Sequence, residues 1–225
     1  MTPASVRALL ALAGRWFVPV ALVARLPLAM GQIAVLLLVA DRTGSFGRGG
    51  LAAAAIGVGA AVGAPVVGAL TDRVGQRRVL LVVALGYAAG LLVLLALVES
   101  GAGSAATLVC AAAAGLFAPQ VGPLARVRWT ALARGRLADP EATARLGDAF
   151  AIEGAGDEAG FVVGPALVGV LAGLFGPGVA PVVAAGLSLT AVTAFALHPT
   201  ADVVSGRRDR GPRPAGSSPR GLRGL

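Results

Sequence analysis

The 225-residue sequence has no lysine, one histidine, one cysteine and only 4% aromatic residues. Each scarcity removes a class of function. With a single cysteine, Cys110, no internal disulfide forms, and one cysteine beside one histidine cannot build a structural metal site. Cys110 lies in an alanine-rich apolar run and reads as a small packing residue. The lone histidine, His198, stands next to Pro199 at the end of an apolar run, with no serine or metal ligand at productive spacing, so no enzymatic activity and no cofactor are expected. A G-x-x-x-x-G-K-[ST] loop is also missing, which leaves ATP coupling without support. The formal charge of +8 comes entirely from arginine, yet those arginines sit between apolar runs rather than on a soluble face with interleaved aromatics. Nucleic-acid binding is therefore not expected.

What the chain has in abundance is apolar surface: 56% hydrophobic residues against 13% charged, at a mean hydropathy of +0.83. These values describe an integral membrane protein. A hydrocarbon layer of about 30 Å needs about 20 apolar helical residues. Six runs meet that length: 16–40, 50–70, 79–98, 105–125, 149–175 and 179–197. The fold class that follows is an all-α membrane protein of six transmembrane helices. Residues 1–15 read as an interfacial lead-in, 16–198 as the six-helix bundle, and 199–225, rich in Arg, Gly and Pro, as a disordered tail. The 126–148 stretch reads as a loop. Sixteen arginines fall on one side of this topology and two, Arg42 and Arg48, on the other. Short arginine-rich segments stay cytoplasmic, so both termini are expected in the cytoplasm of a cell-membrane protein.

The sharpest motif is the polar break 68–78, G-A-L-T-D-R-V-G-Q-R-R, between the second and third runs. Asp72, Arg73, Gln76, Arg77 and Arg78 would be desolvated together inside hydrocarbon, so the break belongs at a membrane surface. Gly75 suits a chain reversal at positive φ, and Gly68 suits a close approach to a neighbouring helix. Asp72 is placed to face Arg77 or Arg78 across the turn, or to meet a helix N-terminus. The positions Gly68, Leu70, Asp72, Arg73, Gly75, Arg77 and Arg78 resemble the loop between the second and third helices of major facilitator superfamily transporters. That resemblance implies a gate latch between two transporter halves, centred on Asp72. It also implies that six spans form one half, the N-terminal one, of a twelve-span protein, itself a three-plus-three inverted repeat.

Charges inside the runs are the second signal, since a charge near the bilayer centre costs on the order of 2.5–3.5 kcal/mol on insertion scales. Arg25 lies in the first run, and Glu153, Asp157 and Glu158 lie in the fifth. Glu153 and Asp157 are i, i+4 neighbours, and Asp157 shares a face with Gly160 and Gly164, along which another helix can approach. An ion pair from Arg25 to Asp157 is geometrically open. These groups are the candidates for carrying a proton; the alternative is a structural pair, with Arg25 reaching the interface. Gly160, Gly164, Pro165 and Gly169 form a G-x-x-x-G-P pattern similar to the fifth-helix motif of drug/proton antiporters. The fourth run departs from those relatives by having no arginine within 105–125. Gln32 and Gln120, in the first and fourth helices that line the cavity in that family, are the candidate substrate contacts.

The function expected from these features is a secondary active transporter of a small molecule, with proton-coupled efflux implied by the antiporter resemblance. Because six spans make half of the family's usual unit, a parallel homodimer or a second six-helix half is the expected partner. The alternative is a non-transporting half or a membrane interaction subunit.

Overall fold

The computed structural model describes residues 12–133 and 140–205, and among these there are helices and turns but no strand. Six helical segments are long and apolar enough to cross a membrane: Phe17–Thr43, Phe46–Val74, Gln76–Glu99, Ser104–Ala133, Leu146–Phe175 and Val179–Leu197. Helices are the outcome physics allows, because hydrocarbon offers no partner to a free backbone N–H or C=O. The six-span, all-α reading therefore holds, and its differences lie at the ends and in the middle of particular spans.

The first span is not one helix. It breaks at Ala24 and Arg25, between Phe17–Val23 and Leu26–Thr43. Pro27, lacking an N–H, cannot complete the bond to the carbonyl four residues earlier, so the run divides there. The fourth span also divides, into Ser104–Leu116 and Val121–Ala133, around Pro119. Its second half carries the helix past residue 125, through what the hydropathy pattern assigned to a loop. The fifth helix begins earlier than the apolar run, spanning Pro140–Phe175 without interruption at Pro165. At the second-to-third connection the expected loop shrinks to one residue: Phe46–Val74 ends, Gly75 turns at φ 99°, and Gln76–Glu99 begins. Part of the expected disordered tail is a short helix, Thr200–Ser205. Residues 206–225 and most of the lead-in, 1–11, lie outside the described residues.

Close packing explains why several glycines are where they are. A Cβ at Gly59 would lie 2.1 Å from the Ala112 carbonyl oxygen, and one at Gly63 would lie 2.3 Å from that of Leu116. The second and fourth spans therefore touch backbone to backbone, an approach that only the absence of a side chain permits. Gly164 does the same for the fifth span against Ala29 of the first, at 2.7 Å from its Cβ. Gly68 does not share this role, since nothing lies within 4 Å of the Cβ it lacks. Two large apolar clusters, and a small one of Val67, Val79 and Val83, fill the bundle. Met30, Leu38, Tyr87, Leu91 and Leu94 anchor one; Phe17, Leu80, Trp129 and Phe195 anchor the other. The first span contributes to both, and Arg25 falls between its contributions.

Candidate functional site

The breaks in the first and fourth spans both open onto the fifth, and the charged residues gather there. Arg25, 6% exposed, uses all three guanidinium nitrogens. Its Nη1 donates to the Ala21 carbonyl at 2.7 Å, its Nε to Asp157 Oδ1 at 2.7 Å, and its Nη2 to Glu153 Oε2. Glu153 is buried, and its other oxygen accepts the Trp129 indole N–H at 2.7 Å. Arg126, from the fourth span, donates to Asp157 Oδ2 at 2.5 Å. One carboxylate, Asp157, is thus held by guanidinium groups from two other helices. The two acids and two arginines balance formally, which is what permits four charges to sit within the spans.

Small residues make room for this arrangement. A Cβ at Gly122 would meet Asp157 Oδ1 at 2.5 Å, and one at Gly156 would meet Leu22 Cδ2 at 2.6 Å. Beside Asp157 lies a cavity of about 220 Å³ between the first, fourth and fifth spans, lined in part by Arg25, Gln120, Arg126, Asp157 and Phe161. Residues 118–120, at the break of the fourth span, lie outside regular helix, and Pro119 and Gln120 border this space. Unwound backbone is tolerated at membrane depth where it lines a cavity, and such breaks commonly build transport sites.

A second polar cluster joins the fourth span to the polar turn. Arg128 is fully buried, donating from Nε to Gln76 Oε1 at 2.8 Å and from Nη1 to the Phe195 carbonyl at 2.8 Å and Thr200 Oγ1 at 3.2 Å. Its guanidinium carbon stands 3.9 Å from the centre of the Phe195 ring. Gln76, 1% exposed, also donates to the Leu124 carbonyl at 3.5 Å. His198 closes the cluster, with Nδ1 3.0 Å from Thr200 Oγ1 and its ring 5.4 Å from that of Phe17.

A family model described as Major Facilitator Superfamily matches residues 8–224, nearly the whole chain. The chain belongs to the Major Facilitator Superfamily. It is a multi-pass membrane protein of transporter type, whose cargo is a small molecule. Comparisons with curated proteins and with solved structures gave no match.

Within this superfamily member, the residues singled out from the sequence separate into two sets. Arg25, Glu153 and Asp157 come together, and Gln120 joins them at the cavity. Glu158 is exposed and stands apart from the pairs. Gln32 does not line this cavity; it is exposed beside Gly57 of the second span. Of the turn motif, Leu70, Asp72, Arg73, Arg77 and Arg78 are all exposed, and among the described residues Asp72 makes no ion pair with Arg77 or Arg78. In the fifth-helix motif, Gly164 packs on the first span, Gly160 has Arg25 Cβ at an ordinary 3.6 Å, and Gly169 faces open space.

Arg126 and Arg128 are the residues that sequence reasoning missed. Reading 126–148 as a loop removed both from the membrane. The signal was available in the continuing helical register: Arg126, Trp129 and Ala133 are spaced i, i+3, i+7, with Val127 and Leu132 extending the apolar content. The fourth span thus does carry arginines, the first of them immediately after the apolar run ends at residue 125.

Proposed function

We propose that this bundle is one half of a secondary transporter, that its substrate enters the cavity between the first, fourth and fifth spans, and that Asp157 couples transport to protons. One observation carries the reading: Asp157 is a partly exposed carboxylate, at the wall of a cavity, bridging two arginines from different spans. Taking up a proton would remove its charge from both guanidinium groups at once and loosen the contacts joining three helices. Such a change is the kind of bistable element that alternating access requires. Glu153 suits a structural role, because it is buried and does not line the cavity.

The uneven cover of the spans supports a second bundle as partner. The apolar windows of the second and fifth spans are only 28% and 17% buried, against 44–56% for the other four. On the second span the exposed side chains Val58, Val62, Val66, Leu70 and Val74 form a stripe with a spacing of four. These two faces suit contact with a second six-span half, whether another copy or a different chain. The exposed Asp72 and its arginines then stand ready to latch across that contact, as the family resemblance implies. By the arginine count, the surface carrying Arg73, Arg77 and Arg78 is the cytoplasmic one.

The test is reconstitution of the purified chain in liposomes with an imposed pH gradient, scoring solute flux for the parent, Asp157→Asn and Asp72→Asn, with cross-linking to read the assembly. Gradient-driven flux abolished by Asp157→Asn is the expected result. Gradient-driven flux unchanged in a folded Asp157→Asn protein would remove Asp157 from coupling. A folded monomer without flux would favour a non-transporting half.

A further inference from the structure

We infer that the cavity beside Asp157 takes a small organic monoanion, a carboxylate on a compact apolar body, and that one proton enters Asp157 with it. This rests on the transport reading above and names its substrate class. The first observation is the inequality of the two arginines. Arg25 is 6% exposed and spends every nitrogen on Ala21, Glu153 and Asp157. Arg126 has a side chain 38% exposed, lines the cavity, and has Asp157 as its one ion-pair partner among the described residues. When Asp157 is neutral, Arg25 keeps Glu153 as counter-charge, while Arg126 is left with none. An anion arriving in the cavity fills that vacancy.

Charge balance sets the stoichiometry. The groups facing Asp157 are Arg25 from the first span, Arg126 from the fourth and Glu153 one turn back on its own helix, and with Asp157 ionised the four sum to zero. A monoanion entering alone would leave a net negative charge in a low-dielectric site, and a proton alone a net positive one. Together they restore neutrality. The carboxylate of Asp157 becomes a carboxylic acid, and the ligand carboxylate accepts the Arg126 N–H bonds that Asp157 gives up. A cation, by contrast, would have to reach Asp157 between two guanidinium groups. The remaining walls fit an apolar body: Leu28 and Phe161 give hydrophobic surface, and Gln120 gives one neutral polar contact. The proton consequently travels in the same direction as the substrate, unlike the exchange expected from the antiporter resemblance.

The experiment uses the full chain in lipid nanodiscs with Trp16→Phe, leaving Trp129, whose indole N–H is bonded to Glu153, as the reporter. Fluorescence titrations with cyclohexanecarboxylate and with lactate run between about pH 6 and about pH 8, where both ligands stay anionic. The expected result is tighter binding at the lower pH, by up to roughly tenfold per pH unit, with one proton taken up per anion bound as read by a pH-indicator dye. Asp157→Asn should bind equally at both pH values, and Arg126→Gln should lose binding while keeping the parent's elution profile. The proton count on the parent stands even where a variant fails to fold. No response to either carboxylate, equal affinity at both pH values in the parent, or proton release on binding tetraphenylphosphonium would overturn the anion assignment. The last of these leaves the transport reading intact. Carboxylate binding with proton uptake, but no flux in liposomes, would sink the transport reading and keep the site.

Discussion

Two polar regions of this bundle invite opposite expectations and behave oppositely. The turn at 68–78 carries the recognisable motif, yet Asp72, Arg73, Arg77 and Arg78 are exposed and make no ion pairs among the described residues. The seam between the first, fourth and fifth spans carries only a scatter of charges in the sequence, yet Arg25, Arg126, Glu153 and Asp157 are joined in one network. The difference teaches that charge density in the sequence does not foretell pairing: the turn's charged side chains face outward without ion-pair partners among the described residues, whereas those of the seam hold one another. Thr71 and Gln76 are the buried polar residues of the turn, and Gln76 ties it to Arg128.

Breaking the seam should have the largest effect on stability. Arg25→Ala strips Glu153 of its cation and leaves only the Trp129 bond, and uncompensated buried charge costs about 3–5 kcal/mol. A sharply lowered melting temperature in detergent is expected; an unchanged one would mean the acids are solvated. Next comes a pair of glycines on the second span. Gly63→Ala would press on the Leu116 carbonyl and cost about 1–3 kcal/mol. Gly68→Ala meets nothing within 4 Å and should gain about 0.5–1 kcal/mol from helix propensity. Equal melting temperatures for these two variants would contradict the packing described for the second and fourth spans.

The inward tie of the turn gives an effect of similar size. Gln76→Ala leaves Arg128 Nε buried without its acceptor, and melting should report a loss of about 1–3 kcal/mol. On the outward side, Asp72→Asn should change stability by less than about 0.5 kcal/mol, as exposed substitutions do, while lowering any flux that depends on a second half. The smallest expected effect is at His198, where burial first, and then the charge of Arg128, hold the imidazole below its ordinary value of 6.5. The folded protein then binds fewer protons here than the unfolded chain. Stability is full above the ordinary value and declines as pH falls from there through the lowered one. His198→Asn should flatten that decline in melting curves taken across the range.

Fold class and span number were legible because six runs of sufficient length leave few alternatives. Arg25, Glu153 and Asp157 were legible too, since intramembrane charge is rare and i, i+4 spacing fixes a shared face. The breaks at Arg25 and at 117–120 were not, because hydropathy averages over a window that a single Pro27 or Pro119 barely alters. The same averaging ended the fourth span at residue 125, at the point where arginines begin. An arginine lowers the mean whether it faces water or a carboxylate, and only the fifth span's acids reveal which. Gln76 was likewise placed with its exposed neighbours, since nothing local distinguishes an amide facing inward.

The central claim is that Asp157 is a node shared across helices, with Arg126 acting from within the fourth span rather than from a loop. A double-mutant cycle on melting free energy, using Arg126→Gln, Asp157→Asn and the double variant, tests it most directly. The account predicts an interaction energy of about 0.5–3 kcal/mol between the two sites. Strict additivity of the two single effects would contradict it.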